Sequence, residues 1–327
     1  MIVPEFWAEA RIQKRFPDRQ ITVRRFGWSD SSQGDAQRHA DERVEEAFAA
    51  IVSGKELPRR EQKVRYNGAD GLPIREEIVH RFEQSVVTRN SYGAKCLNTP
   101  DVFFADVDFR PMELSCSLVF GCLLFAFPTA AATAHFTESP VFGVVAFFLV
   151  VAGLPMLVQF SRRLGAKVRG GRERVVMHRI DTFLASRLDW HLRVYRTPNG
   201  FRILAMHDTF DPRSEEVEKV FRALGVDPVY RLMCQKQNCF RARLTAKPWR
   251  IGIGQRLKPR PGVWPIKESR MEERRRWIDE YDSSAANYSA CEFVKAIGAV
   301  HRVSSAAQAV CDFHDRVCSV DDGLPLA

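Results

Sequence analysis

Two carboxylates stand closest to recognisable chemistry. Asp106 and Asp108 are spaced as Asp-x-Asp in TPDVFFADVDFR, residues 99–110. The alternation of Val, Phe and Asp there predicts a β-strand, on which side chains two apart share a face. Carboxylates about 7 Å apart on such a face can hold Mg²⁺ through oxygen and water ligands, with phosphates completing the octahedron. Guanidiniums to clamp those phosphates follow downstream: Arg202, then Arg241 and Arg243 on one face of CFRARLTA, then Lys247 and Arg250. His207 is a further candidate, but strict alternation lets only one of Arg202 and His207 join the carboxylates unless a bulge intervenes. A blander account of the same residues is a solvated strand end whose carboxylates are neutralised by Arg241 and Arg243 across neighbouring strands.

The elements that would position these groups follow from periodicity. Residues 172–189 carry an apolar stripe at helical spacing. HLRVYRT and FRILAMH read as strands joined by a Pro198-Asn199-Gly200 turn. DPRSEEVEKVFRALG is a helix entered through Asp211 and Pro212 and closed by Gly225. With 101–109 as the first strand and 239–246 as the last, the order is βαββαβ, the ferredoxin-like split unit. The fold class expected is therefore α+β, with a membrane hairpin inserted after the first core strand. Nearer the N-terminus, 33–51 reads as a helix, YNGADGLP at 66–73 as a turn, and PIREEIVHRF as a second helix with Pro73 in its first turn and Glu76 and Glu77 at its positive end.

Two uncharged runs, LSCSLVFGCLLFAFPTAAATAHF and SPVFGVVAFFLVVAGLPMLVQFS, flank Glu138. A hydrocarbon core of ~30 Å needs about 20 helical residues, so each run is long enough to cross. Arg162, Arg163, Lys167, Arg169, Arg172 and Arg174 crowd one side, Arg110 guards the other, and the turn carries no Lys or Arg. The expectation is an integral membrane protein with two spans in a lipid bilayer and both termini cytoplasmic. Its organisation is an N-terminal α/β region at 1–98, the first core strand at 99–112, the hairpin at 113–161, the rest of the core at 162–250 and a C-terminal helical region at 251–327.

In this order and on these elements, ADVDF, TPNGFR and FRARLTAKPWR resemble the catalytic core of the archaeo-eukaryotic primase-polymerase superfamily over 101–110 and 172–250. The resemblance implies nucleotide or nucleic-acid binding and Mg²⁺-dependent nucleotidyl transfer. Asp106 and Asp108 match the family's metal-binding pair, and Arg241, Arg243, Lys247 and Arg250 its basic contacts to triphosphate and template. The family's strand His corresponds to Arg202, with His207 displaced five residues. Arg241 and Arg243 stand where a third carboxylate is usual, which favours the alternative of a non-catalytic membrane-anchored interaction or assembly module.

Composition sets the partners. The chain has 327 residues and a formal net charge of +9, which suits phosphate-bearing or anionic-lipid partners. Phe240, Trp249 and Trp264 are interleaved with Arg and Lys over 236–260, a pattern that can stack bases and hold backbone phosphates. Eight cysteines without CxxC spacing indicate a reducing setting. Cys291, Cys311, His314 and Cys318 contain zinc-type donors, yet their spacing fits no usual ligand pattern, so buried helix thiols are the default. The Gly-rich GAKVRGGRER lacks P-loop spacing, and ESRMEERRRWIDEYD reads as a charged, solvated helix.

Overall fold

A computed structural model describes residues 3–61, 73–109, 116–168, 171–260 and 264–327, and within the two long helices of 116–168 it describes side chains over 124–153 and at Met156. All but the last residue of the expected 66–73 turn lies outside the described residues, as do Arg110, Arg169 and the side chains of Arg162, Arg163 and Lys167. The chain divides into two compact units, Met1–Val107 with Leu184–Ala327, and Asp108–Phe183.

In the first unit, β1 (Phe6–Arg15) and β2 (Gln20–Ser29) pair antiparallel along their whole length. Helix α1 (Gln33–Val52) starts at Ser32, whose hydroxyl accepts from Asp35 N. It lays Ala36, Ala40, Val44 and Ala47 on Ala8, Ala10, Ile21 and Val23. The helix comes so near that a Cβ on Gly27 would stand 2.1 Å from Ala40 N, so the small residues along this seam are what permit the contact.

A four-stranded sheet follows, with β3 (Glu77–Phe82), β4 (Ser85–Arg89), β5 (Lys95–Thr99) and, far later in the chain, β9 (Phe240–Arg243) adjacent in that order. The expected helix over PIREEIVHRF is thus absent, and its Glu77–Phe82 is a strand. Glu83, at φ 49°, turns it directly into β4. The other four-stranded sheet runs β10-β7-β8-β6, built from β6 (Phe104–Asp108), β7 (His191–Thr197), β8 (Gly200–Ala205) and β10 (Glu292–Gly298).

This arrangement overturns the ferredoxin-like expectation, in which β9 would lie beside β6. Instead β9 pairs with β5, and the fourth place in the sheet goes to β10 beside β7. The reason lies in α6 (Pro228–Gln237), whose Tyr230 is buried with its hydroxyl 3.0 Å from Phe104 O on β6 and 2.9 Å from Arg241 O on β9. The same oxygen accepts from Arg241 N at 3.2 Å. A phenol occupies the edge that a direct β6–β9 ladder would need, and it meets part of that edge's hydrogen-bonding demand.

One face of the β10-β7-β8-β6 sheet packs on α5 (Glu215–Leu224) through Phe221, which lies against Phe103 and Phe240. The opposite face carries Tyr195, Arg202 and Phe104 and meets α8 (Ser305–Cys318) through His314. Helix α7 (Met271–Ala285), expected to be solvated, buries Arg274, Trp277 and Tyr281.

The second unit contains the hairpin of α2 (Cys116–Phe136) and α3 (Pro140–Val168), followed by most of α4 (Gly171–Ala185). Glu138, at φ 52°, forms the turn, and a Cβ on Gly143 would stand 2.7 Å from Ala130 O, so the two helices touch backbone to side chain there. Among the described residues, no helix is long and apolar enough to cross a membrane. A bilayer core demands about 20 consecutive apolar helical residues. The two expected spans are corrected accordingly, and the integral-membrane placement of the chain goes with them.

Candidate functional site

The face of β6 and β8 toward α8 carries a continuous polar network. Alternation along β8 turns Arg202 to this face, opposite Tyr195 on β7. The Arg202 side chain is only 1% exposed and donates from Nε to Asp106 Oδ1 at 3.0 Å and from Nη1 to Arg243 O at 2.8 Å. Its Nη1 also stands 3.2 Å from His314 Nε2. Burial works against the guanidinium's charge, but Asp106, Cys291 and Cys318 outweigh it and raise its pKa. On the far side of the imidazole, Nδ1 lies 2.8 Å from Asp315 Oδ1, and Asp315 accepts from Arg193 Nη2 at 2.7 Å. A proton on Nδ1, directed at that carboxylate, leaves Nε2 as an acceptor for Arg202.

Two thiols complete the network. Cys291, His314 and Cys318 are buried, and their Sγ and imidazole nitrogen atoms all lie within 4.8 Å of one another, with Cys291 Sγ 3.7 Å from His314 Nε2. Local structure explains the meeting. His314 and Cys318 are four apart on α8 and so share a face. Cys291 enters β10 from a backbone tied to the end of α8, since Ala290 N donates to Cys318 O at 3.2 Å and Ser289 Oγ to Ser319 O at 2.6 Å. A hydrogen bond from Cys318, together with His314 and Arg202, holds the Cys291 thiol well below its usual range, against burial. Burial and Cys291 push Cys318 well above it. Burial also opposes a charge on His314, yet Cys291 and Asp315 hold that imidazole above its ordinary range. Cys311, the fourth residue of the sequence set, stands apart from the three, with its sulfur 3.5 Å from Tyr195 OH and 3.6 Å from Asp315 Oδ2.

The remaining sequence-derived candidates disperse. Asp108 is exposed and falls in the Asp108–Phe183 unit. Arg241 faces the other sheet, buried in a 2.6 Å pair with Glu76, to which Thr88 Oγ1 also donates. Arg243 directs Nη1 to Thr245 O. His207 lies past the end of β8 between Trp190 and Phe210, accepts from His191 N at 3.4 Å, and has its pKa lowered by burial. Arg250 lies in the 3₁₀ turn Pro248–Arg250, and Lys247 caps that turn.

At that turn a cavity of about 960 Å³ opens, with Trp249, Tyr92, Gln255, Arg256 and Arg260 in its wall. Tyr92 is held in a tight loop by Asn90, whose Oδ1 accepts from Tyr92 N and Ala94 N at 3.1 Å each. Gly93, at φ 103°, completes the loop over Trp277, where a Cβ would come within 2.3 Å of the ring. Tyr92 meets Trp249 edge to face at 5.2 Å, and Lys247 Nζ lies 5.6 Å from the Trp249 ring centroid. Trp249 remains 58% exposed. Arg256 and Arg260 are exposed, and among the described residues neither forms an ion pair. Sequence reading picked out Trp249 in this wall, and Lys247 and Arg250 on the turn that carries it. It missed Tyr92, Arg256 and Arg260, whose only local signal was the turn-rich TRNSYGAK segment and a basic tract. No family model matches this sequence, and no curated protein or solved structure matches it.

Proposed function

We propose that this protein binds a base-plus-phosphate ligand, a nucleotide or the nucleotide unit of a single strand, in the Trp249 cavity. The observation that carries the reading is the pairing of an exposed indole with exposed guanidiniums around one opening. An aromatic face supplies base stacking worth about 1–3 kcal/mol by alanine substitution, and Arg256 and Arg260 supply forked donors for phosphate oxygens. The volume of about 960 Å³ is at the upper end of what small-molecule sites enclose. The chain's charge of +9 favours the same ligands at longer range.

The reading is one of binding. Asp106 is already held by Arg202, and Arg202 and Arg241 are buried with carboxylate partners, so no phosphoryl-transfer step is derived from them. Mg²⁺ remains a participant to be tested through the ligand's own phosphates. The test is equilibrium binding of a nucleoside triphosphate, with and without Mg²⁺, and of a short labelled single strand, across a salt series. Trp249→Ala should weaken whichever ligand binds by about tenfold or more, and Arg256→Ala with Arg260→Ala should flatten the salt dependence. Binding that is indifferent to all three substitutions refutes the reading.

A further inference from the structure

We propose that Cys291, His314 and Cys318 bind one thiophilic d¹⁰ cation in a three-coordinate site, separate from the Trp249 cavity. The donors are two sulfurs and one imidazole nitrogen, the set that selects soft ions such as Cu(I) and Zn(II) over oxygen-preferring ones. Metal–sulfur and metal–nitrogen bonds of about 2.3 and 2.0 Å at a trigonal angle place sulfur and nitrogen about 3.7 Å apart. The separation of Cys291 Sγ and His314 Nε2 is 3.7 Å.

The surroundings match what a ligating histidine requires. A metal-bound imidazole donates its other N–H to a carboxylate that fixes its tautomer, and here Asp315 Oδ1 lies 2.8 Å from Nδ1 while Arg193 anchors Asp315 from behind. All three donors are at most 1% exposed, so little reorientation or desolvation accompanies binding. Binding exchanges the thiol protons of Cys291 and Cys318 for the ion, and those protons leave to solvent.

Arg202 decides the coordination number and the charge. Its Nη1 stands 3.2 Å from Nε2, beside the three donors. On binding it gives up that one hydrogen bond and keeps Asp106 and Arg243 O. A fully buried guanidinium there disfavours a divalent ion with a bound water. It accommodates a singly charged ion held by two thiolates, a centre with net charge of one minus. Cu(I) is therefore expected to bind ahead of Zn(II).

The experiment is anaerobic titration of the reduced full chain with Cu(I), and separately with Zn(II), against a chromophoric chelator, followed by X-ray absorption on the loaded protein. One equivalent of Cu(I), with two sulfurs and one nitrogen at about 2.0–2.3 Å, is the expected result. Cys291→Ser should abolish that equivalent. Asp315→Asn, which keeps a side chain of the same shape beside Nδ1, should weaken it about 10- to 100-fold. Cys311→Ser, outside the trio, should leave it unchanged, and circular dichroism of each variant controls for folding. Zn(II) binding with the same three donors supports the site and reverses only the expected preference. Failure of the folded wild type to take up either ion, oxygen-only coordination, or recovery of the pair solely as a Cys291–Cys318 disulfide overturns the proposal.

Discussion

Arg202 and Asp106 form an ion pair of 3.0 Å in which the cation is buried and the carboxylate is partly in water. The pair therefore stabilises the fold mainly by neutralising Arg202. Among the described residues, Asp106→Ala would leave the guanidinium with only carbonyl and imidazole acceptors. Removing one partner of a fully buried pair costs about 3–5 kcal/mol, and the exposed carboxylate reduces this to roughly 2 kcal/mol. Urea unfolding should report that loss while nucleotide binding at Trp249 stays intact. Lost ligand binding in a stable Asp106 variant would return this residue to the binding chemistry.

The Glu76–Arg241 pair makes a sharper case, since both side chains are buried and 2.6 Å apart. Glu76→Ala should cost about 3–5 kcal/mol by stranding Arg241. The double change Glu76→Met with Arg241→Met should recover most of that loss, because no charge then remains buried. A double variant as unstable as the single one would show that the pair contributes more than mutual neutralisation. Denaturant midpoints at constant slope are the measurement.

Tyr230→Phe isolates the hydroxyl between β6 and β9. It removes the partner of Arg241 N and of a carbonyl on either strand, at a cost of about 1–3 kcal/mol for buried groups left unsatisfied. Hydrogen exchange should quicken at Arg241 N more than along the β4–β5 ladder. Uniform quickening would mean that the hydroxyl has no local role.

His207 gives the protein an acid limit. Burial lowers its pKa in the fold, so the unfolded chain binds its proton first. The stability it contributes is full above about pH 6.5, the unfolded value, and is lost as pH falls through the lower folded value. His191 shifts in the same direction, also through burial. His207→Gln should therefore flatten the fall in stability as the pH drops below about 6.5. An unchanged slope would place the acid sensitivity elsewhere.

What the sequence disclosed, and what it withheld, divides along contact range. The turn after Thr197 and a helix closed by Gly225 were legible because the signals are local, although the helix starts at Ser214 and not at the expected Asp211–Pro212 entry. Ser214 Oγ accepts from Val217 N, and Gly225 closes the helix at φ 74°. The strand at 77–82 was read as a helix because Glu76 and Glu77 resemble helix-start carboxylates. Their actual partners are Arg241 and Arg274, 165 and 197 residues away, and no local pattern announces such pairs. Alternation correctly marked β6 as a strand and left open which of Arg202 and His207 would join Asp106, which the fold decides for Arg202. The sheet order escaped because it depends on Tyr230, a residue on a helix that was not anticipated. In the same way Cys291 lies 23 residues from His314, too irregular a spacing to suggest that chain reversal brings them together.

The loop at Tyr92 and Gly93 rests on Trp277 while Trp249 stands open at the cavity mouth. Trp277 is 5% exposed and stacks on Tyr281 at 11°. One short loop thus separates a shielded indole from an accessible one. A dissolved quencher such as iodide reaches the second and spares the first, so occupancy of the cavity would change the quenchable fraction of the emission, giving the protein an optical gauge of that cavity without any attached label.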